Sequence, residues 1–149
     1  MISDDQPADT TPPPSREQVH EALRATVRHG ALAANLTVFT PTVIDLLVPP
    51  NGDEESNMTR AAIAEDLIRK GITAVEEHDG PAVGSALRIM LGLASGTAVL
   101  SVEERRRQAA RAIGIQPDTF RRDNHSRRYF LELAFAIHSL IESRSAGAR

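Results

Sequence analysis

The side chains best suited to chemistry begin with an acid–histidine cluster, Glu76-Glu77-His78-Asp79. Carboxylates and imidazoles can hold a metal when a helix presents them on one face, as in H-E-x-x-H or E-x-x-H. The spacing of this cluster fits neither pattern, so its side chains cannot converge from one helical face. We therefore expect a solvated helix end here.

Other short motifs also lack the residues that their chemistry would need. The segment GPAVGS at 80–85 has turn glycines, but no lysine follows it, since the single lysine, Lys70, precedes it. It is therefore not a phosphate-binding P-loop. The acidic loop Asp53-Glu54-Glu55 lacks the alternation of a calcium loop. The chain has no cysteine, which excludes disulfides, thiolate catalysis and cysteine-ligated metals. We expect no catalytic residue, metal, cofactor or small-molecule substrate.

Positive charge is concentrated in the last third of the chain. Net charge is −3, made up of −7 over residues 1–101 and +4 over residues 102–149. The arginines able to contact phosphates are Arg105, Arg106, Arg107, Arg111, Arg121, Arg122, Arg127 and Arg128. The candidate nucleic-acid-binding residues are Arg107, Arg111, Arg121, Arg122, Asn124 and His125. Interspersed acids at 103, 104, 118 and 123 and a pI of 5.9 argue against a nucleic-acid partner.

The segment from Arg105 to Arg122 resembles a helix-turn-helix. Four of its residues fit the offsets of the alanine, glycine and apolar positions in that motif: Ala110, Gly114, Ile115 and Phe120. The sequence PDTFRR begins the second helix much as "GVSPDTLRR" does in bacterial DNA-binding domains. Asp123 departs from the family, which has a large apolar residue at that position. The resemblance implies DNA binding, with the second helix reading the bases.

A wider stretch, residues 86–141, resembles a helical module of actinobacterial multidomain proteins. The counterparts here of its successive helices are LRIMLGL, LSVEERRRQAARAIGI, DTFRRD and YFLELAFAIHSLI. This resemblance covers about the last 60 residues and implies a helical fold without a catalytic signature.

The elements that must position these residues are all expected to be helices. Capping boxes at Ser15 and Ser101, a glycine stop at Gly114 and an amphipathic stripe over 63–75 predict a compact all-α bundle of about six or seven helices. We divide the chain into a disordered leader (1–14), an acidic helical region (15–79) and an arginine-rich helical unit (80–145). No signal peptide or membrane-length apolar run is present, so we expect a cytoplasmic protein.

The last helix is apolar over most of its circumference, which is typical of a central helix or one covered by a partner. We expect the following four residues to be buried in the domain: Phe130, Leu133, Ile137 and Leu140. Leu131, Phe135 and His138 are then the candidate partner-binding residues. The leading hypothesis is a non-catalytic interaction, adaptor or regulatory module that binds a protein partner or a second copy of itself. The alternative is a helix-turn-helix DNA-binding transcriptional regulator.

Overall fold

The computed structural model describes the backbone of residues 12–50, 56–122 and 125–147. Every regular element in these ranges is an α-helix, which confirms the predicted all-α class. The helices are α1 (Arg16–Thr26), α2 (Ala33–Phe39), α3 (Pro41–Leu47), α4 (Asn57–Asp79), α5 (Pro81–Met90), α6 (Val102–Ile113), α7 (Pro117–Arg122) and α8 (His125–Gly147).

Local start and stop signals set several of these boundaries. The Ser15 hydroxyl accepts a hydrogen bond from the Gln18 amide at 3.1 Å, and the Gln18 side chain accepts one from the Ser15 amide at 2.8 Å. This capping box begins α1, as predicted. At Ser101 only half of the box forms, because the Glu104 carboxylate binds the side chain of Arg107 instead. Gly114 ends α6 in the left-handed conformation that glycine adopts without strain.

Helix α8 is the central element of the bundle. It packs against α1, α4, α5 and α7, so the acidic and arginine-rich regions share one core. Leu133 and Ile137 are fully buried, Phe130 is buried, and Leu140 is partly buried against the core. Gly71 lies where α4 crosses α8: a Cβ atom there would be 2.7 Å from Cγ1 of Ile137. The absence of a side chain at Gly71 therefore lets α8 approach α4 closely.

Two boundary predictions need correction. Residues 1–11 lie outside the described part of the chain, but Pro14, assigned to the exposed leader, is buried. It occupies the position before the N-cap, where an apolar side chain commonly fixes the entry of the chain into a helix. The break predicted over 123–126 is shorter, because His125 and Ser126 already belong to α8. The acidic loop at 53–55 lies outside the described residues.

None of the helices in the described ranges combines the length and apolar character needed to cross a bilayer.

Candidate functional site

The most exposed apolar surface on the central helix is formed by Leu131 and Phe135. These two side chains are one turn apart on α8 and are 47% and 50% exposed. The Arg16 guanidinium lies 4.2 Å from the centre of the Phe135 ring and covers part of it. We call the pair the Leu131–Phe135 ridge. An aromatic side chain exposed on the central helix, next to an exposed leucine, offers the kind of large, rigid apolar contact area that protein interfaces use.

A groove of about 500 Å³ runs along one side of this ridge, between α4 and α8. It is lined mainly by the hydrocarbon portions of Ala74, Val75, His78, Asp79, Arg128, Leu131, Glu132, Phe135 and Ala136. We call it the α4–α8 groove. Small residues on both helices leave space between the helix backbones, and the ridge forms one wall of that space. The groove has the apolar character typical of a site for side chains of a partner.

Two carboxyl groups lie in the α4–α8 groove. Asp79 ends α4 and Glu132 lies on α8, and their side chains share a hydrogen bond. Burial, the hydrogen bond and the charge of Asp79 raise the pKa of Glu132, while Arg128 and His78 oppose this effect. Arg128 is also engaged elsewhere, since its guanidinium lies 5.1 Å from the centre of the Tyr129 ring. The groove thus combines apolar walls with a carboxyl pair whose negative charge is incompletely compensated.

On its other side the ridge borders a cleft of about 470 Å³ between α1 and α8. Its lining is Arg16, Glu17, His20, Glu21, Arg24, Arg127, Leu131, Ala134 and Phe135. This α1–α8 cleft is polar on the α1 side and apolar on the α8 side. The ridge therefore lies between two depressions, since Leu131 and Phe135 line both.

His138, the third candidate partner-binding residue, lies at the covered edge of this surface. Its side chain is only 15% exposed, and its Nδ1 atom is 3.8 Å from a carboxylate oxygen of Glu142. The structure therefore brings Leu131 and Phe135 together and leaves His138 with little surface to offer a partner.

The predicted phosphate-contacting arginines do not form one surface. Arg105 is buried, 2% exposed, and its guanidinium donates to three backbone carbonyls, those of Leu100, Met90 and Arg28. Its assignment to phosphate contact was therefore wrong. Arg107 is paired with Glu104, and Arg111 is exposed. The side chains of Arg121 and Arg122, together with all of Asn124, lie outside the described residues.

The helix-turn-helix-like segment comprises α6, a turn at Gly114 and the short helix α7. Gly114 has a φ of 87° and ψ of 27°, and the Ile115 amide donates to the Ala110 carbonyl at 3.0 Å. Ala110 and Phe120 are buried. The candidate base-contacting residue His125 is partly buried, and its ring lies 6.3 Å from the ring of Phe120, within the domain. Helix α7 has only six residues, which is short for a helix that reads the major groove.

The acid–histidine cluster is partly structural. The Glu76 carboxylate accepts two hydrogen bonds of 3.0 Å from Arg88, and this contact lowers the pKa of Glu76. The expectation of a solvated helix end was therefore wrong for Glu76, which joins α4 to α5. Among the residues that the structure describes, no group of three or more histidines and carboxylates is placed to hold a metal.

No family model, curated protein sequence or solved structure matches this chain. The site is therefore defined by its own geometry. Sequence reasoning missed the Asp79–Glu132 pair, although Glu132 was visible as an acid interrupting an apolar helix. It also missed His20, which carries no motif and is buried between helices.

Proposed function

We propose that the chain is a non-catalytic protein-binding module whose partner presents an amphipathic helix to the Leu131–Phe135 ridge. The observation that supports this function best is the ridge itself, a half-exposed leucine and phenylalanine between two depressions. Binding of an amphipathic helix in a groove uses apolar side chains spaced by three or four residues, and α8 offers its own pair at that spacing.

The partner helix should carry a basic residue beside its apolar face. In the α4–α8 groove, Asp79 hydrogen-bonds Glu132 and helps to raise the pKa of Glu132, so the two side chains are close together. A lysine or arginine placed beside them would offset this effect and favour the ionised form of Glu132. Charge complementarity therefore favours an apolar helix with a cationic flank over one with an acidic flank.

Two designed helical peptides test this proposal directly. They share one leucine face, and one has arginines where the other has glutamates. We expect the leucine–arginine peptide to bind about tenfold or more tightly, with NMR shift changes centred on Leu131, Phe135 and Ala136. Phe135→Asp should abolish this binding. Val99→Asp serves as the matched control, because Val99 is 90% exposed and lies outside the groove.

Three results would contradict the proposal. These are equal binding of the two peptides, shift changes elsewhere on the surface, or unaltered binding to the Phe135→Asp variant. Light scattering on the free protein adds a fourth: a dimer that Phe135→Asp dissociates would assign the ridge to self-association.

DNA binding is retained as a second candidate because the turn at Gly114, with Ala110 and Phe120 buried, supports a helix-turn-helix arrangement. For about four to six phosphate contacts, the slope of log affinity against log salt concentration should be about −4 to −5. Replacing Arg121 and Arg122 together with alanine should remove the binding. Mobility shifts at two salt concentrations measure this slope, and absence of binding at low salt would eliminate the candidate.

A further inference from the structure

Four helices, α1, α5, α6 and α8, line a second pocket of about 440 Å³ that adjoins the α1–α8 cleft. Its lining consists of His20, Arg24, Val27, Met90, Arg106, Ser126, Arg127 and Phe130. Three of these residues are arginines, Arg24 of α1, Arg106 of α6 and Arg127 of α8, and each carries a guanidinium group. No carboxylate lines this pocket, although Glu21 lines the adjoining cleft. The pocket is therefore strongly positive, in a chain whose net charge is −3.

These guanidinium groups are available to a ligand. No ion pair or side-chain hydrogen bond joins Arg24, Arg106 or Arg127 to another residue within the described part of the chain. By contrast, Arg60 and Arg88 are each committed to a carboxylate of the same chain. Three unpaired guanidinium groups around one concavity repel each other, and an anion would relieve that repulsion.

A buried histidine supplies an independent indication of a ligand. His20 is 9% exposed, and its Nε2 atom is buried without a hydrogen-bond partner among the described residues. A buried polar atom without a partner is costly, so such atoms commonly mark a site for a missing ligand or water. The pKa of His20 is lowered mainly by burial, then by the charge of Arg24 and, to a smaller extent, by that of Arg127. Only the charge of Glu21 opposes this shift.

The start of α8 adds further donors. Ser126 and Arg127 lie in the first turn of this 23-residue helix, where backbone amides have no intrahelical acceptor and the helix dipole favours negative charge. Ser126 is one of the residues that line the pocket. The apolar side of the pocket is formed by Val27, Met90 and Phe130, of which the last two are buried.

We propose that this pocket binds the phosphoryl group of a small molecule through Arg24, Arg106 and Arg127, with His20 and Ser126 as further donors. Planar guanidinium groups match the oxygens of a phosphoryl group, and the dianion complements three positive charges. Free phosphate and a phosphate monoester share this chemistry. The apolar side and a volume larger than one phosphate favour a monoester, whose organic part would contact Met90 and Phe130.

Calorimetric titration with inorganic phosphate and with phenyl phosphate tests the site and separates the two sources. We expect saturable binding, about tenfold tighter for phenyl phosphate if the organic part contacts the apolar side. Equal affinities would assign the pocket to free phosphate. Arg106→Gln and Arg127→Gln should each weaken binding about tenfold, because each removes a charge-assisted contact.

Arg144→Gln is the matched control, since Arg144 is an exposed arginine of α8 outside the pocket. It removes the same charge and should leave affinity within about twofold, because an exposed charge at a distance is screened. Circular dichroism of each variant checks folding. Lack of saturable binding to the wild-type protein at low salt would overturn the proposal. So would equal losses in Arg106→Gln and Arg144→Gln, which would indicate a non-specific charge effect.

Discussion

The guanidinium group of Arg105 donates a hydrogen bond of 2.6 Å from Nη1 to the carbonyl oxygen of Met90, the last residue of α5. A second nitrogen donates to the carbonyl of Arg28, just beyond the end of α1, at 3.1 Å. The free carbonyls at helix C-termini carry partial negative charge, so they can accept a buried cation without a carboxylate. Arg105 thus joins α6 to the ends of two other helices, although burial lowers its pKa.

Replacing Arg105 should unfold the domain far more easily than replacing its neighbours. Arg105→Met keeps the apolar stem but leaves three carbonyls without their donor, so we expect a loss of about 3 kcal/mol or more in the free energy of unfolding. Arg107→Met, in an exposed ion pair of the same helix, should cost less than about 1 kcal/mol. Urea unfolding measures both. Similar losses in the two variants would contradict the structural role of Arg105.

The two glycines inside helices should respond oppositely to alanine. At Gly71 a Cβ atom would lie 2.7 Å from Ile137, whose fully buried side chain has no space to move into. Gly71→Ala should therefore cost about 1–3 kcal/mol through overpacking, despite the better helix propensity of alanine. A Cβ atom added at Gly84 would instead have a carboxylate oxygen of Glu76 as its nearest neighbour, at 2.4 Å.

That carboxylate ends a flexible, partly exposed side chain and can move away. Gly84→Ala should then lose part of the Glu76–Arg88 pair but gain helix propensity, leaving stability within about 1 kcal/mol of the wild type. Thermal and urea unfolding of the two variants provide the comparison. If Gly84→Ala were the more damaging change, the α4–α8 crossing would not be the tighter contact.

The all-α fold could be predicted because its signals are local. Ser15, Gly114 and the apolar periodicity of α4 each act within a few residues, and each was identified correctly from the sequence. Helix α8 could likewise be identified as central from its apolar circumference. Helical spacing alone distinguished the exposed Leu131 and Phe135 from the buried Leu133 and Ile137.

The electrostatic features could not be predicted, because they depend on which helices meet. Nothing near Arg105 in the sequence distinguishes it from Arg106 or Arg107, yet burial depends on the position of each around α6. Arg105 is buried and donates to backbone carbonyls, Arg106 lines a pocket, and Arg107 forms an ion pair with Glu104 at the surface. The Asp79–Glu132 contact joins residues more than fifty positions apart, so no local pattern predicts it.

The Asp79–Glu132 pair should make stability depend on pH. Burial and the neighbouring carboxyl raise the pKa of Glu132 in the folded state above the ordinary value of 4.5, so the folded protein binds more protons than the unfolded chain between these two pKa values. The associated stability is present below pH 4.5 and is lost as pH rises through the folded-state pKa. Glu132→Gln should therefore stabilise the protein at pH 7 and have little effect at pH 3.5.

Urea unfolding at the two pH values tests this, with Glu142→Gln as the control because Glu142 is an exposed acid of the same helix. The control should change the free energy of unfolding by less than about 0.5 kcal/mol at either pH. Asp79→Asn should reproduce part of the gain at pH 7, and the double variant should gain less than the two single effects combined. A loss of stability in Glu132→Gln at pH 7 would contradict the assigned repulsion.

His20 should produce the opposite pH dependence. Its folded-state pKa lies below 6.5 because burial disfavours the charged imidazolium. The charge of Arg24, and less strongly that of Arg127, adds to this effect, whereas the charge of Glu21 opposes it. Below pH 6.5, His20 is therefore protonated more readily in the unfolded chain than in the folded protein. Stability is fully present above that pH and falls as pH is lowered toward the folded-state pKa. His20→Leu should remove this component of the pH dependence.

Sulfate provides the decisive comparison, because it remains a dianion throughout this range and does not itself titrate. NMR of the His20 ring should give a pKa below 6.5 in sulfate-free buffer and a higher one at saturating sulfate, since an anion near Arg24, Arg106 and Arg127 favours the protonated ring. Arg24→Gln should raise the sulfate-free pKa, because it removes the positive charge that lowers this pKa most, and should reduce the response to sulfate. A sulfate-free pKa at or above 6.5 would contradict the burial argument. A pKa below 6.5 that sulfate does not change would leave the burial argument intact and contradict only the proposed anion binding.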